Sequence, residues 1–229
     1  MTKIVIASSR NWFSKHKKSD EFKKLTVFEI KRKEELTIEK LKKCKPRYIF
    51  FPHWNWKVEN EILEEFECIA FHTAPLPYGR GGSPIQNLII RGFKHSPVCS
   101  LRMTEELDAG PIYTMEDISL DGSIKDIFER VAVCVEKSIL KIVKYNPEPI
   151  SQKGVVKIFK RLNKKDNELK KDKSINQIYD QIRMVDGEGY QKAFINFGNY
   201  KIEFSEAELK NKTLTSKIKL YKDDNKSNI

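Results

Sequence analysis

Four short apolar runs, at residues 3–7, 26–29, 47–51 and 68–71, constrain this chain most. Each is too short for a core helix, and helical or polar stretches separate them. Residues 34–43 (EELTIEKLKK) put Leu36, Ile38 and Leu41 on or near one helical face, and residues 59–65 read as a short helix. Strands alternating with helices imply a parallel sheet covered on both faces. The expected class is therefore α/β, with a mostly parallel sheet flanked by helices. Such sheets hold ligands outside the carboxyl ends of their strands. His53 and His72 each follow directly on one of these runs.

A loop rich in Pro and Gly is expected over residues 73–82. Ser83 then reads as a helix N-cap, with Pro84 at the first helical position, a helix over 84–91 and Gly92 past its end. Residues 98–102 and 111–118 read as strands joined through a loop at 107–110. Residues 123–144 carry Ile124, Ile127, Phe128, Val131, Val135, Ile139 and Ile142 on one broad face, which predicts a long amphipathic helix. Asn146-Pro147-Glu148-Pro149 marks a boundary. The expected organisation is a catalytic domain at 1–150 and a small α+β module at 151–229. The module has a strand at 155–159, a charged connector at 161–173 and a helix at 174–184 capped by Ser174. A hairpin of 192–197 and 200–204 turns at Gly198-Asn199, and a last strand at 214–220 groups Leu214, Ile218 and Leu220. Residues 221–229 read as a polar tail.

No apolar run approaches the ~18 residues that span a bilayer, and the four-residue apolar core near the N-terminus is too short for a signal peptide. Cys44, Cys68, Cys99 and Cys134 form no C-x-x-C pair, and His16, His53, His72 and His95 show no H-E-x-x-H spacing. Buried thiols in a reducing cytosol are expected, with no metal site and no membrane partner. The net charge of +11 lies in lysine-rich stretches interleaved with acids, so a solvated surface is its plain reading.

Two clusters carry chemistry-bearing residues: 70–92 (AFHTAPLPYGRGGSPIQNLIIRG) and 106–113 (ELDAGPIY). Alone, His72 could cap a strand and Asp108 could make an Asx-turn. Together, the order His72-x-x-x-Leu76-Pro77-x-x-Arg80-Gly81, then Ser83-Pro84-Ile85-Gln86, then Leu107-Asp108-x-Gly110 resembles the folate-dependent formyltransferases. The resemblance covers residues 45–145 well and the first 45 loosely. It implies a Rossmann-like formyltransferase core and 10-formyltetrahydrofolate as formyl donor. It also implies His72 and Asp108 at a reaction passing through a tetrahedral intermediate. An imidazole beside a carboxylate suits proton movement and oxyanion stabilisation near neutral pH.

The sequence departs from that family at one point. Relatives carry Asn two residues before the His, and here the position is Ala70. Asn87 is the expected substitute donor, with Asn55, a bound water or His53 behind it. Segment 51–57 (FPHWNWK) matches a loop that holds the pterin, so His53, Trp54, Asn55 and Trp56, with Leu107, are expected to bind the folate. One tryptophan is expected to anchor the loop and the other to meet the ring.

For the acceptor, the resemblance leans to sugar-nucleotide N-formyltransferases, including those of pseudaminic-acid-type pathways, through FPHWNWKV and LDAGPIY. A nucleotide-linked amino sugar, a 4-amino-4,6-dideoxy sugar, is therefore expected. Arg10, Arg80 and Arg161 would meet its phosphates, with Tyr78, Gly81 and Gln86 also at the substrate. On this reading no nucleic-acid partner is expected. Methionyl-tRNA formyltransferase, which normally runs longer, is the alternative, as is a non-catalytic folate- or RNA-binding relative. A homodimer through the hairpin edge is expected.

Overall fold

Alternation of side chains along the first strand sets up two layers. In β1 (Lys3–Ser8) Ile4 and Ile6 join one buried cluster, whereas Val5 and Ala7 join another across the sheet. The computed structural model describes residues 2–222. β2 (Thr26–Ile30), β3 (Tyr48–His53) and β4 (Cys68–Thr73) run parallel to β1 in the order β2-β1-β3-β4. β6 (His95–Arg102) and β7 (Ile112–Ser119) then extend the sheet antiparallel. Between β4 and β6 the chain forms β5 (Tyr78–Gly81), which pairs with β8 (Lys157–Phe159) as a separate ribbon.

The long helix α6 (Ile124–Tyr145) lays Ile124, Ile127, Val131, Val135, Ile139 and Ile142 on the Ile4/Ile6 face. Burying such a side chain contributes about 1.5–3 kcal/mol, so this stripe fixes the helix to the sheet. Ser123 caps it, accepting from the Asp126 amide, while Asp126 accepts from the Ser123 amide. Side chains of α1 (Trp12–Lys15), α2 (Asp20–Lys23), α5 (Pro84–Ile90) and α7 (Ile175–Arg183) pack into the same cluster. Side chains of α3 (Ile38–Cys44) and α4 (Asn60–Glu65) pack on the opposite face.

Several elements differ from expectation. The helix expected over 34–43 splits into a 3-10 turn at Lys33–Glu35 and α3, because the Thr37 hydroxyl caps a new start at the Lys40 amide. Leu36 falls in the break yet still packs on the second cluster. The loop expected over 73–82 contains β5. Ser83 does not cap α5 with its side chain; it sits at φ 49° and its hydroxyl accepts from the Leu162 amide.

Beyond α6 the chain returns across the sheet through β8, then a 3-10 turn, α7 and an antiparallel sheet. That sheet orders β11 (Thr213–Lys222), β10 (Tyr200–Lys210) and β9 (Ala193–Phe197). α7 is tied to the core by Arg183, which donates to the carbonyls of Leu120 (2.5 Å) and Gly122 (2.8 Å). A second hairpin joins β10 to β11 at Asn211 and Lys212, both at positive φ (48° and 61°). Leu214 packs against the core, but Ile218 and Leu220, expected beside it, are 61% and 53% exposed. Tyr221 and Lys222 end β11, and the remainder of the expected polar tail lies outside the described residues. Among the described residues no helix is long and apolar enough to cross a membrane.

Candidate active site

His72 belongs to β4 rather than following it, because Cys99 of β6 supplies it a ladder partner. His53 likewise ends β3 and pairs with Ser8. Period-2 alternation puts Cys68, Ala70 and His72 on one sheet face. His72 is buried, and its Nε2 donates to the Gly79 carbonyl at 2.7 Å. A carbonyl only accepts, so Nε2 carries hydrogen and Nδ1 is the atom turned to Asp108, 3.5 Å from Oδ2. The Gly81 amide donates to the same Oδ2 at 2.9 Å.

The loop carrying Asp108 is tightly constrained. Asp108 sits at φ 54°, in the left-handed region that, apart from glycine, Asn and Asp enter more readily than other residues. A Cβ on Gly110 would lie 1.8 Å from the Arg102 carbonyl oxygen, so only glycine fits there. Support comes from Gln152, a residue that sequence reasoning missed. Its Nε2 donates to the carbonyls of Asp108 (2.8 Å) and Gly110 (2.9 Å). Its Oε1 accepts from Arg80 Nε (3.1 Å) and Nη2 (2.9 Å).

Asn87 does not serve as the substitute donor. Its Nδ2 lies within 3.0–3.1 Å of the carbonyls of Gly82, Ser83 and Lys160, and its Oδ1 accepts from Arg91. Both amide hydrogens are thereby spent on holding the loop before α5 against the returning chain. Ala70 is partly exposed two residues before His72, and its methyl side chain supplies no hydrogen-bond donor.

Three expected substrate contacts are also committed elsewhere. Arg80 is shared between Gln152 and Glu106, whose carboxylate lies 3.0 Å from Nη1. Tyr78 stacks on Phe93 and meets Phe159 edge-on. Gln86 is buried and donates to the Met184 carbonyl at 3.2 Å. Gly81 does stand at the centre, through its amide.

A second region opens at the carboxyl end of β1. A cavity of about 590 Å³ is lined by Arg10, Trp12, Lys15, Asn55, Lys125, Phe128 and Tyr190, among others. The Arg10 guanidinium lies 4.5 Å above the Tyr190 ring and donates to the carbonyls of Glu188 and Gly189. Asn55 is exposed and makes no hydrogen bond among the described residues. Beside the cavity, burial holds the His53 imidazole at a pKa of about 4, with the Arg10 and Arg161 charges adding to the effect. His53 is therefore neutral near pH 7, and its Nδ1 faces the Ser9 hydroxyl at 3.3 Å. Arg161 is exposed.

On the His72 side of the sheet, Trp54 packs against the second cluster and meets Phe51 and Trp56 edge-on. Met103, just past β6, packs against the same cluster. Trp56 and Leu107, at 39% and 71% exposure, leave apolar surface open on the loops after β3 and β6.

Comparison with known proteins adds the following. Residues 164–221 match the family described as methionyl-tRNA formyltransferase, C-terminal domain. Methionyl-tRNA formyltransferase of Campylobacter lari is 38% identical over 90 residues, which is 39% of this chain and 30% of that protein. The Thermodesulfovibrio yellowstonii protein of the same name is 29% identical over 161 residues, 67% of this chain and 52% of that one. The chain thus spans about half the length, or less, of these curated relatives. A solved structure, methionyl-tRNA formyltransferase from Clostridium thermocellum, superposes with a TM-score of 0.92 at 38% identity, covering 97% of this chain and 100% of that one.

These findings correct the expected acceptor. A 4-N formyltransferase from Francisella tularensis shares only the fold, at 17% identity and a TM-score of 0.63, covering 85% of this chain and 92% of that one. The proteins matching at 29–38% identity are named for methionyl-tRNA, so the nucleotide-linked amino sugar is withdrawn. The expectation of no nucleic-acid partner loses its ground with it. Length had argued against the methionyl-tRNA class, and the fully covered Clostridium chain removes that argument.

Proposed function

This chain belongs to the formyltransferase family with a methionyl-tRNA formyltransferase-like core, and on that premise we propose that it moves a formyl group from 10-formyltetrahydrofolate to the amino group of methionyl-tRNA. The observation that carries the reading is the buried His72–Asp108 contact, held by Gly79 and Gly81. In the transfer, the amine nitrogen bonds to the formyl carbon and the bond from that carbon to the folate nitrogen breaks. One proton leaves the amine and one reaches the departing nitrogen. Asp108 accepts the first, directly or through water. With Nε2 tied to Gly79, His72 works through Nδ1, where a shared proton places positive charge beside the developing oxyanion.

The folate lies against the loops after β3 and β6, where Trp56 and Leu107 offer apolar surface to a flat heterocycle. The aminoacylated RNA end approaches from the β1 side, with Arg10, Lys15 and Lys125 in the cavity and Arg161 near it meeting phosphates. Residues 1–150 form the catalytic domain and 151–229 the small module. Among the described residues β11 is an edge strand of the three-stranded sheet, which suits a homodimer.

The direct test incubates the protein with 10-formyltetrahydrofolate and charged initiator tRNA. Formylmethionyl-tRNA should accumulate in step with tetrahydrofolate. Absence of both products from folded protein would reject the reading.

A further inference from the structure

The chain returning from α6 does more than connect two regions. Residues 150–159 are fastened on both sides of the centre. Ile150 exchanges hydrogen bonds of 2.8 and 2.9 Å with Ile112, just past the Asp108 loop. On the other side the Lys157 amide donates to Pro77, and the Phe159 carbonyl accepts from Gly82. Between these anchors sits Gln152, whose side-chain amide makes four hydrogen bonds, two through Oε1 and two through Nε2.

The contacts form a closed circuit. Gly79 holds His72 and Gly81 holds the Asp108 carboxylate. Arg80, between those glycines, is joined through Gln152 Oε1 and Nε2 to the backbone of Asp108. Asp108 stands at positive φ, so its carboxylate direction depends on what grips its peptide. Among the described residues, Asp108 is also the one carboxylate within ion-pair distance of the His72 ring.

We propose that Gln152 is a positioning residue for the transfer, its amide setting the Asp108 carboxylate against Nδ1 of His72. The kinetic half of this proposal rests on the formyltransferase reading; the structural half does not. A strap that merely anchors the following module would leave the His72–Asp108 contact unaltered when Gln152 changes. A positioning residue would not.

Gln152→Glu separates the two. It keeps the size and the Arg80 partner, but sets a carboxylate without N–H donors against two carbonyl oxygens. Gln152→Met, which removes both halves without adding charge, is the second variant should the first not fold. The readout is the ring nitrogen resonances of His72 at fixed pH, with steady-state kinetics in parallel. The Nδ1 resonance should move while the Nε2 resonance, governed by Gly79, stays. Turnover should fall about 10–100-fold, as a misplacement near 1 Å costs, with KM for the RNA within about threefold. An unmoved Nδ1 resonance in folded variant protein overturns the positioning role, as does full turnover. If wild-type protein transfers no formyl group, the functional reading fails, and the resonances still decide whether Gln152 sets Asp108.

Discussion

The His72–Asp108 centre and the cavity at the end of β1 are built in opposite ways. At the centre the fixed contacts are dense: Nε2 is held by Gly79, Oδ2 meets Gly81 and His72, and the Asp108 carbonyl accepts from Gln152. In the cavity Arg10 is held by Glu188, Gly189 and Tyr190 and Lys15 pairs with Glu188, but Asn55 has no hydrogen bond among the described residues and Lys125 lines open space. A bond-making step needs atoms fixed before substrates arrive. On the proposed function the cavity would receive the end of a long polyanion, whose binding is dominated by phosphate charge.

Substituting the first region should therefore strike turnover, and substituting the second should strike affinity. His72→Asn should give the largest effect, lowering kcat/KM for formyl transfer by about 10²–10⁴-fold. A variant within twofold of wild type would remove His72 from the chemistry. Arg10→Ala should raise KM for the RNA by about tenfold and leave kcat nearly untouched. Arg10→Lys should not restore it, because an ammonium can neither stack on Tyr190 nor bridge the Glu188 and Gly189 carbonyls in the same plane. If kcat fell more than affinity, the contrast between the regions would break.

The pH dependence of stability sharpens the picture at the boundary between them. Folded His53 takes up its proton only near pH 4, against about 6.5 in the unfolded chain. Its folded pKa lies below the unfolded one, so its contribution is fully present above pH 6.5 and is lost as pH falls toward 4. Urea melts should show a slope of at most about 1.4 kcal/mol per pH unit from this group, and His53→Asn should remove it. The smallest effect is expected far from both regions. Ile218→Thr on exposed β11 should change stability by less than about 0.5 kcal/mol. A larger loss that grows on dilution would mean a second subunit covers that face.

The neighbouring pair His72 and Asp108 was legible because motif order survives in a linear reading. Their neighbours were not. Asn87 has the right residue type to replace the asparagine missing at Ala70, but type says nothing about which carbonyls claim its hydrogens. Arg80 and Gln86, expected at the substrate, likewise have hydrogen bonds within the protein that their residue types do not reveal. Gln152 carries no local signal, since it is 44 residues from the Asp108 carbonyl and 72 from Arg80. The turn at Asn211-Lys212 escaped notice because it contains no glycine, whereas Gly198-Asn199 announced itself.

By itself the sequence determined the alternation of strands and helices, the long α6 stripe and the pairing of His72 with Asp108. These follow from side-chain periods of 2 and 3.6 and from motif order, which neighbours along the chain are enough to express. Tertiary structure alone decided which polar groups are free to meet a substrate. Each donor has few hydrogens, and the carbonyls that compete for them come from distant parts of the chain. Asn87 lost that freedom and Asn55 kept it, and nothing local in either residue distinguishes the two.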